Sequence, residues 1–239
     1  MSNMLSISEA AEYLGISEQT LRRWDNDGTF RASLVSSGGH RYYSLADLER
    51  MTKGLFQSAK DWAGAESAAE PAGEFYCATS ERFKTRLERM ALEFTKTPHQ
   101  DAGSIVTAIA GEIGNNSFDH NLGNWPDVPG VFFAYDFGKR VVVLADRGRG
   151  VLTTLRDVRP SLADDQEALQ VAFTEVLTGR APEHRGNGLK FVREAVAWFG
   201  PRRLKFQSGA AVVEIGRGGG FSVSSADPKV HGCLALIDF

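Results

Sequence analysis

The chain is 239 residues long and has only two cysteines, Cys77 and Cys233. They lie far apart and outside any Cys-x-x-Cys spacing, which argues against a disulfide framework or a zinc site and for a reducing cytosol. Positive charge is not in surplus. Lys and Arg number 27 against 30 Asp and Glu, a formal net charge of -3. Such a chain is not a general nucleic-acid glue, so any DNA-binding face has to be a local patch. No apolar run reaches the roughly 20 residues of a membrane span. The N-terminus lacks the basic flank and apolar stretch of a secretory signal. The expectation is a cytoplasmic protein with no membrane partner. No internal repeat at solenoid spacing is present. The length is that of one or two domains, each able to bury a sizeable core.

Short helix signals come first. Ser6 or Ser8 can cap a helix through Glu9–Leu14, and Gly15 ends it. Ser17 can cap a second helix, with Thr20, Leu21 and Trp24 on its apolar and aromatic side and Asp27-Gly28 at its end. Residues Phe30 to Tyr43 hold Leu34-Val35, a Ser-Ser-Gly-Gly turn and Tyr42-Tyr43, the pattern of a hairpin or wing. Ser44 then caps a third helix, Leu45–Leu55. Between Ser58 and Glu74 the composition shifts to Ala, Gly, Glu, Ser and Pro71, which reads as a linker.

A larger pattern begins at Thr79. Phe83, Leu87, Met90 and Phe94 share one helical face, and Ile105, Ile109, Glu112 and Asn116 share another. Val131–Tyr135 and Arg140–Ala145 read as paired strands joined near Phe137-Gly138. Asp164–Thr178 and Leu189–Phe199 read as helices. Four short strands are expected at Leu204–Gln207, Ala210–Ile215, Phe221–Ser224 and Leu234–Phe239. Strands mixed with helices in this way suggest an α+β two-layer sandwich.

Three stretches of this second part carry chemistry. Glu112 and Asn116, four residues apart, lie on one helix face. The Asn offers a neutral oxygen to a hard cation such as Mg2+, and the Glu can orient or deprotonate a water. Asp146 follows the apolar strand Val141–Ala145, and Gly148 and Gly150 allow close backbone approach. A buried carboxylate there can accept a hydrogen bond from an adenine amino group. Gly186 and Gly188 open the helix that starts at Leu189, so their N–H groups can meet phosphate. Arg185, near the end of the preceding loop, could meet phosphate too, and Ser208 could line the base pocket.

In this order the three stretches resemble the GHKL family of gyrase-type ATPases, histidine kinases and anti-sigma serine kinases, whose ATP-binding domain is the Bergerat fold. Residues 112–120 look like its N box, 146–150 like its G1 box and 186–189 like its G2 box. The resemblance implies ATP and Mg2+ as ligands, Asn116 on the metal, Glu112 as the base of hydrolysing members and Asp146 on adenine. Asn115 competes with Asn116 if the alignment shifts by one residue. Residues 151–185 would be the ATP lid.

The first part is similar to MerR-family winged helix-turn-helix domains, carried by Ser6–Trp24, by Gly38–Tyr43 and by the helix signal at Ser44. That resemblance implies double-stranded DNA as partner and a homodimer on paired half-sites. Gln19, Thr20, Arg22 and Arg23 would meet the major groove, and His40, Arg41 and Tyr42 on the wing would meet the backbone. The usual dimerisation coiled coil is absent, since no sustained heptad follows Leu55.

The expected organisation is two domains: an α-rich winged helix-turn-helix over 1–56, a linker over 57–78, and a GHKL-type α+β domain over 79–239. The expected function is an ATP-responsive, sequence-specific transcription regulator with at most weak ATPase activity. The alternatives are an anti-sigma-like serine/threonine kinase acting on a protein partner and a degenerate GHKL fold used for protein interaction.

Overall fold

The structure, a computed structural model, describes residues 4–14, 16–45, 47–48, 54–175 and 188–239. The chain divides into two compact units, Met1–Ser58 and Ala59–Phe239.

The first unit runs β1 (Met4–Ser6), α1 (Ile7–Leu14), α2 (Glu18–Asp27), β2 (Leu34–Val35) and β3 (Arg41–Ser44). Its helix starts are set by side-chain caps. The Ser6 backbone N–H donates to Glu9 Oε2 at 2.8 Å while the Glu9 N–H donates back to Ser6 Oγ at 3.4 Å. That reciprocal pair is a capping box. Ser17 accepts from the Thr20 N–H at 3.1 Å, and Gly28 takes the left-handed conformation that ends α2. The core is Ala10, Ala11, Leu21, Tyr43 and Leu48, with Phe30 stacked on Tyr43. β3 is the middle strand of an antiparallel sheet in the order β1-β3-β2. The β2–β3 hairpin is the expected wing. β1 was not expected, because three residues are too few to show an alternating pattern. The Asp47 N–H donates to Ser44 Oγ at 3.1 Å, as a cap should. Most of the helix expected over 45–55, and Gly15, lie outside the described residues.

The rest of the chain runs α3 (Leu55–Gly64), β4 (Tyr76–Cys77), α4 (Ser80–Phe94), α5 (Gln100–Asn121), β5 (Val131–Asp136), β6 (Val141–Asp146), α6 (Gly150–Arg156), α7 (Asp165–Thr174), α8 (Gly188–Trp198), β7 (Arg203–Gly216) and β8 (Phe221–Asp238). The five strands form one antiparallel sheet in the order β4-β5-β6-β8-β7. The register lines up Phe133, Leu144, Ala235 and Phe206 in one row, and all four belong to the main core with residues of α4, α5, α7 and α8. α4 and α5 pack antiparallel through glycine. The Phe83, Leu87 and Phe94 side chains lie against Gly114, Gly111 and Gly103 respectively, leaving no space for a Cβ at Gly114.

Three expectations change. The four short strands are two long ones, because Ser208-Gly209 is not a turn but an irregularity in the β7–β8 register, with Gly209 at a φ of 58°. In the described part of the stretch expected as a lid over 151–185, α6 stands beside α7, where a helix was expected, and Phe173 of α7 meets Phe206 of β7 edge-on. Residues 59–78, expected as a linker, belong to the second unit and cover the other face of its sheet. Ala59 and Ala63 are fully buried, and Phe132 packs against both Trp62 and Phe75. What fastens this segment is Arg147, a wholly buried side chain just past β6. Its Nη1 donates to the Trp62 and Ala65 carbonyls at 2.6 and 2.8 Å, and its Nε donates to Asp127 Oδ2 at 2.7 Å. Composition could not show this, because the partners on the segment are backbone carbonyls.

Among the described residues no helix is long and apolar enough to cross a membrane.

Replacing Arg147 with Met keeps most of the bulk but orphans two carbonyls and a carboxylate. The expected loss of stability is about 3–5 kcal/mol, read from urea unfolding, with the first cut in limited proteolysis moving into residues 65–74. An unchanged midpoint would mean that apolar contacts alone hold the segment.

Candidate functional site

β6 delivers Asp146 to the bottom of a pocket between α5, α6, α7 and the start of α8. Its walls are mostly apolar, with Ile113, Val151, Leu155, Leu189 and Phe206 among them. Asp146 is only 2% exposed. Ser117 Oγ donates to its Oδ2 at 2.7 Å, and the Gly148 N–H donates to its Oδ1 at 2.8 Å. Burial pushes its carboxyl up to about 6, against the pull of those two donors and of the Cys233 N–H. Burial and the Asp146 charge also push the Cys233 thiol well above its usual range. The site therefore holds one carboxyl group fixed in orientation, its bonds made, at the base of an apolar cleft. Such a group recognises a hydrogen-bond donor on the edge of a flat ligand.

Glycines make this crowding feasible. A Cβ on Gly232 would overlap Asp146, and one on Gly148 would overlap the Asn121 amide. Asn121 joins α5 to the turn after β6: its Nδ2 donates to the Ser117 carbonyl at 2.7 Å, and its Oδ1 accepts from the Arg149 N–H at 2.8 Å. Ser208 fastens the other side, donating to the Gly232 carbonyl at 3.0 Å and accepting from the Val151 N–H at 2.9 Å.

Of the expected nucleotide residues, Asn116, Asp146, Gly150, Gly188 and Leu189 line this pocket. Glu112 sits beside it, against Gly188, where a Cβ would overlap its carboxylate. Neither the Glu112 nor the Asn116 side chain has a hydrogen-bond partner among the described residues. Asn115, Gly148 and Ser208 are not in the lining. Gly148 makes room for Asn121, and Ser208 is a buried pin from β7 to β8 and α6. Gly186 and Arg185 lie outside the described residues. Sequence reasoning missed Ser117, Asn121 and Gly232. Ser117 and Asn121 had a readable signal, since they repeat at four-residue spacing beside the Glu112 and Asn116 row. Gly232 inside a strand signals close approach of another group. Among the described residues there is no group of three or more His, Cys, Asp or Glu placed to hold a metal ion.

In the first unit, α2 presents Gln19, Arg22, Arg23 and Asn26 around a shallow concavity. Gln19, Arg22 and Arg23 are exposed, and Arg22 pairs with Glu18 at 3.3 Å. Thr20 is half-buried and its hydroxyl is 2.9 Å from Ser17 Oγ, so it serves the cap. On the wing, His40 is exposed and Tyr42 half-buried. Arg41 does not reach outward as expected. Its Nε donates to Asp25 at 2.5 Å and its Nη2 to Asn26 at 3.0 Å, which braces the wing against α2.

The Asp146 pKa fixes a pH dependence. The native carboxyl keeps its proton up to about pH 6, while the unfolded one keeps it only to about 3.8. Burying the carboxylate therefore costs nothing below pH 3.8 and its full amount above about pH 6. Relative to Asp146→Asn, wild type should lose about 3 kcal/mol as pH rises through that window. Urea unfolding of both proteins at the two ends of the window checks it, and a constant difference would refute the shift.

Residues 4–54 match the family model described as a helix-turn-helix domain. A curated relative, the type II methyltransferase M.Eco47II of Escherichia coli, is 33% identical over 57 residues, which is 24% of this chain. The chain spans only 14% of that protein's length. With the α1–α2 geometry and the exposed face of α2, the match establishes that this chain carries an N-terminal helix-turn-helix DNA-binding domain.

Proposed function

We propose that the second unit binds Mg-ATP in the Asp146 pocket and that the chain is an ATP-responsive, sequence-specific transcription regulator of the combined winged helix-turn-helix and GHKL type. The carrying observation is Asp146 itself: a nearly inaccessible carboxyl group, oriented by Ser117 and Gly148, at the base of an apolar cleft. An adenine amino group supplies the donor that this position accepts. The glycines fit the same reading. Gly150, at a φ of 75°, brings bare backbone to the cleft wall, and Gly188 opens α8, whose first N–H groups suit phosphate.

Asn116 and Glu112 lie one helical turn apart at the cleft and are not used by the fold among the described residues. Asn116 would give one oxygen to Mg2+, with phosphate and water completing the shell. Glu112, beside Gly188, is placed to hold a water for slow hydrolysis. ATP would supply both the ligand contacts and the phosphate charge that this ion neutralises. In the first unit Gln19, Arg22 and Arg23 would read the major groove, with His40 and Tyr42 on the flanking backbone of a paired operator.

Titration calorimetry with Mg-ATP tests the site. Wild type should bind in the micromolar range, and Asp146→Asn, which offers a donor where an acceptor is needed, should lose roughly tenfold or more. A folded wild type that binds no nucleotide would leave a degenerate scaffold on a DNA reader.

Operator binding tests the response. Arg22→Ala with Arg23→Ala should weaken duplex binding and flatten its salt slope by about 2. Saturating Mg-ATP should change the affinity of wild type for the operator, and operator DNA should change the affinity for ATP by the same factor. Equal operator affinity with and without ATP would leave two independent binding functions.

A further inference from the structure

The end of α8 carries an unusual surface. Trp198 and Phe199 are adjacent, and they are 69% and 71% exposed. Cations surround them. From residue 198 to residue 217 the chain has Arg202, Arg203, Lys205 and Arg217 against Glu214 alone, in a chain whose net charge is -3. Two of these cations are already used: Arg203 pairs with Asp238 at 2.8 Å and Lys205 with Glu214 at 3.4 Å. Arg202 and Arg217 have no acidic partner among the described residues, and both are exposed. On α8 itself the nearest acid is Glu194, one turn before Trp198.

The patch is held in shape by main-chain bonds. The turn between β7 and β8 docks on the helix end through the Gly218 N–H, which donates to the Ala197 carbonyl at 2.9 Å. The Arg217 N–H donates to the Arg202 carbonyl at 3.1 Å, and the Arg217 guanidinium donates to the Gly200 carbonyl at 3.3 Å. The turn glycines Gly216, Gly218 and Gly220 have nothing within 4 Å of where a side chain would begin. Two rings and two cations thus sit on a fixed, open surface.

We propose that Trp198, Phe199, Arg202 and Arg217 form a second nucleic-acid contact, a stacking platform for single-stranded DNA or RNA. Bases offer flat faces that stack on exposed rings without needing a cavity, while arginines take the phosphates. A duplex does not fit, because its base faces are already covered by their neighbours. A second copy of this chain is disfavoured too: a two-fold contact lays this cationic patch on its own copy, and Glu214, the one acid between residues 198 and 217, is already paired with Lys205. The open surface and bare glycine turn favour a nucleic-acid strand over an acidic protein segment, whose anchoring side chains would call for a pocket.

The test uses the full chain and a fluorescent oligodeoxythymidine of about twelve nucleotides, with oligouridine as the RNA arm, in low salt. Anisotropy should show binding of one or both. Trp198→Ala with Phe199→Ala should weaken it roughly tenfold or more. Arg202→Ala with Arg217→Ala should weaken it and reduce the log–log salt slope by about 1.4. All these positions are exposed, and circular dichroism checks that each variant is folded. The proposal is overturned if wild type binds neither strand, if the aromatic variant binds as well as wild type, or if duplex competes as well as single strand. It is also overturned if the aromatic variant loses a dimer in sedimentation or capture of an acidic protein while strand binding persists.

Discussion

The second unit is organised around a single buried cation. Arg147 is wholly inaccessible, and its charge is met by Asp127 and by two backbone carbonyls of the segment that covers the sheet. A desolvated guanidinium tolerates little displacement, since any lost partner leaves charge or dipole unmet in a poor dielectric. This constraint fixes three pieces at once: the covering segment, the loop bearing Asp127, and the chain immediately after β6. Asp146, the last residue of β6, directly precedes Arg147. The two neighbours are opposites in solvation as well as in sign. Arg147 is satisfied by protein groups on every side, whereas Asp146 faces a cleft and has its ionisation shifted by burial. The rigid member holds the responsive member in place.

Side chains carry the first unit in a similar way. Arg41 ties the wing to α2 through Asp25 and Asn26, so the wing's orientation relative to that helix is set by an ion pair inside the unit. The Asp25 carboxyl is held below its usual range by the Ala32 N–H and by Arg41, which keeps that pair charged in mild acid. Gln19, Arg22 and Arg23 are left exposed on α2.

Much of this was legible in the sequence because it is written in local rules. Ser6 and Ser17 each announce a helix start, and each cap is present. The apolar face of Phe83, Met90 and Phe94 is buried as its spacing requires. Asn116, Asp146 and Gly188, singled out in three separate stretches of sequence, all line the pocket. What escaped was non-local. A charge to backbone contact spanning more than 80 residues, as from Arg147 to Trp62 and Ala65, leaves no trace in composition. The continuity of β7 through Ser208-Gly209 was hidden because a small polar residue before glycine reads as a turn until a partner strand is known. Ser208 and Gly148 were singled out for a ligand, and the structure shows protein groups packed on both: the Gly232 carbonyl and Val151 N–H on Ser208, and the Asn121 amide on Gly148.

That distinction bears on how such chains diverge. Gly148 and Gly232 are glycine because Asn121 and Asp146 occupy the space a side chain would need. A descendant that abandoned its ligand would still keep them, since replacing either would disrupt the packing before any selection on binding could act. Asn116 is under no such obligation: it faces the cleft and its side chain has no hydrogen-bond partner among the described residues. In a comparison of descendants, glycine retention would mark only an intact scaffold, and drift at Asn116 would be the first visible record of a site falling silent.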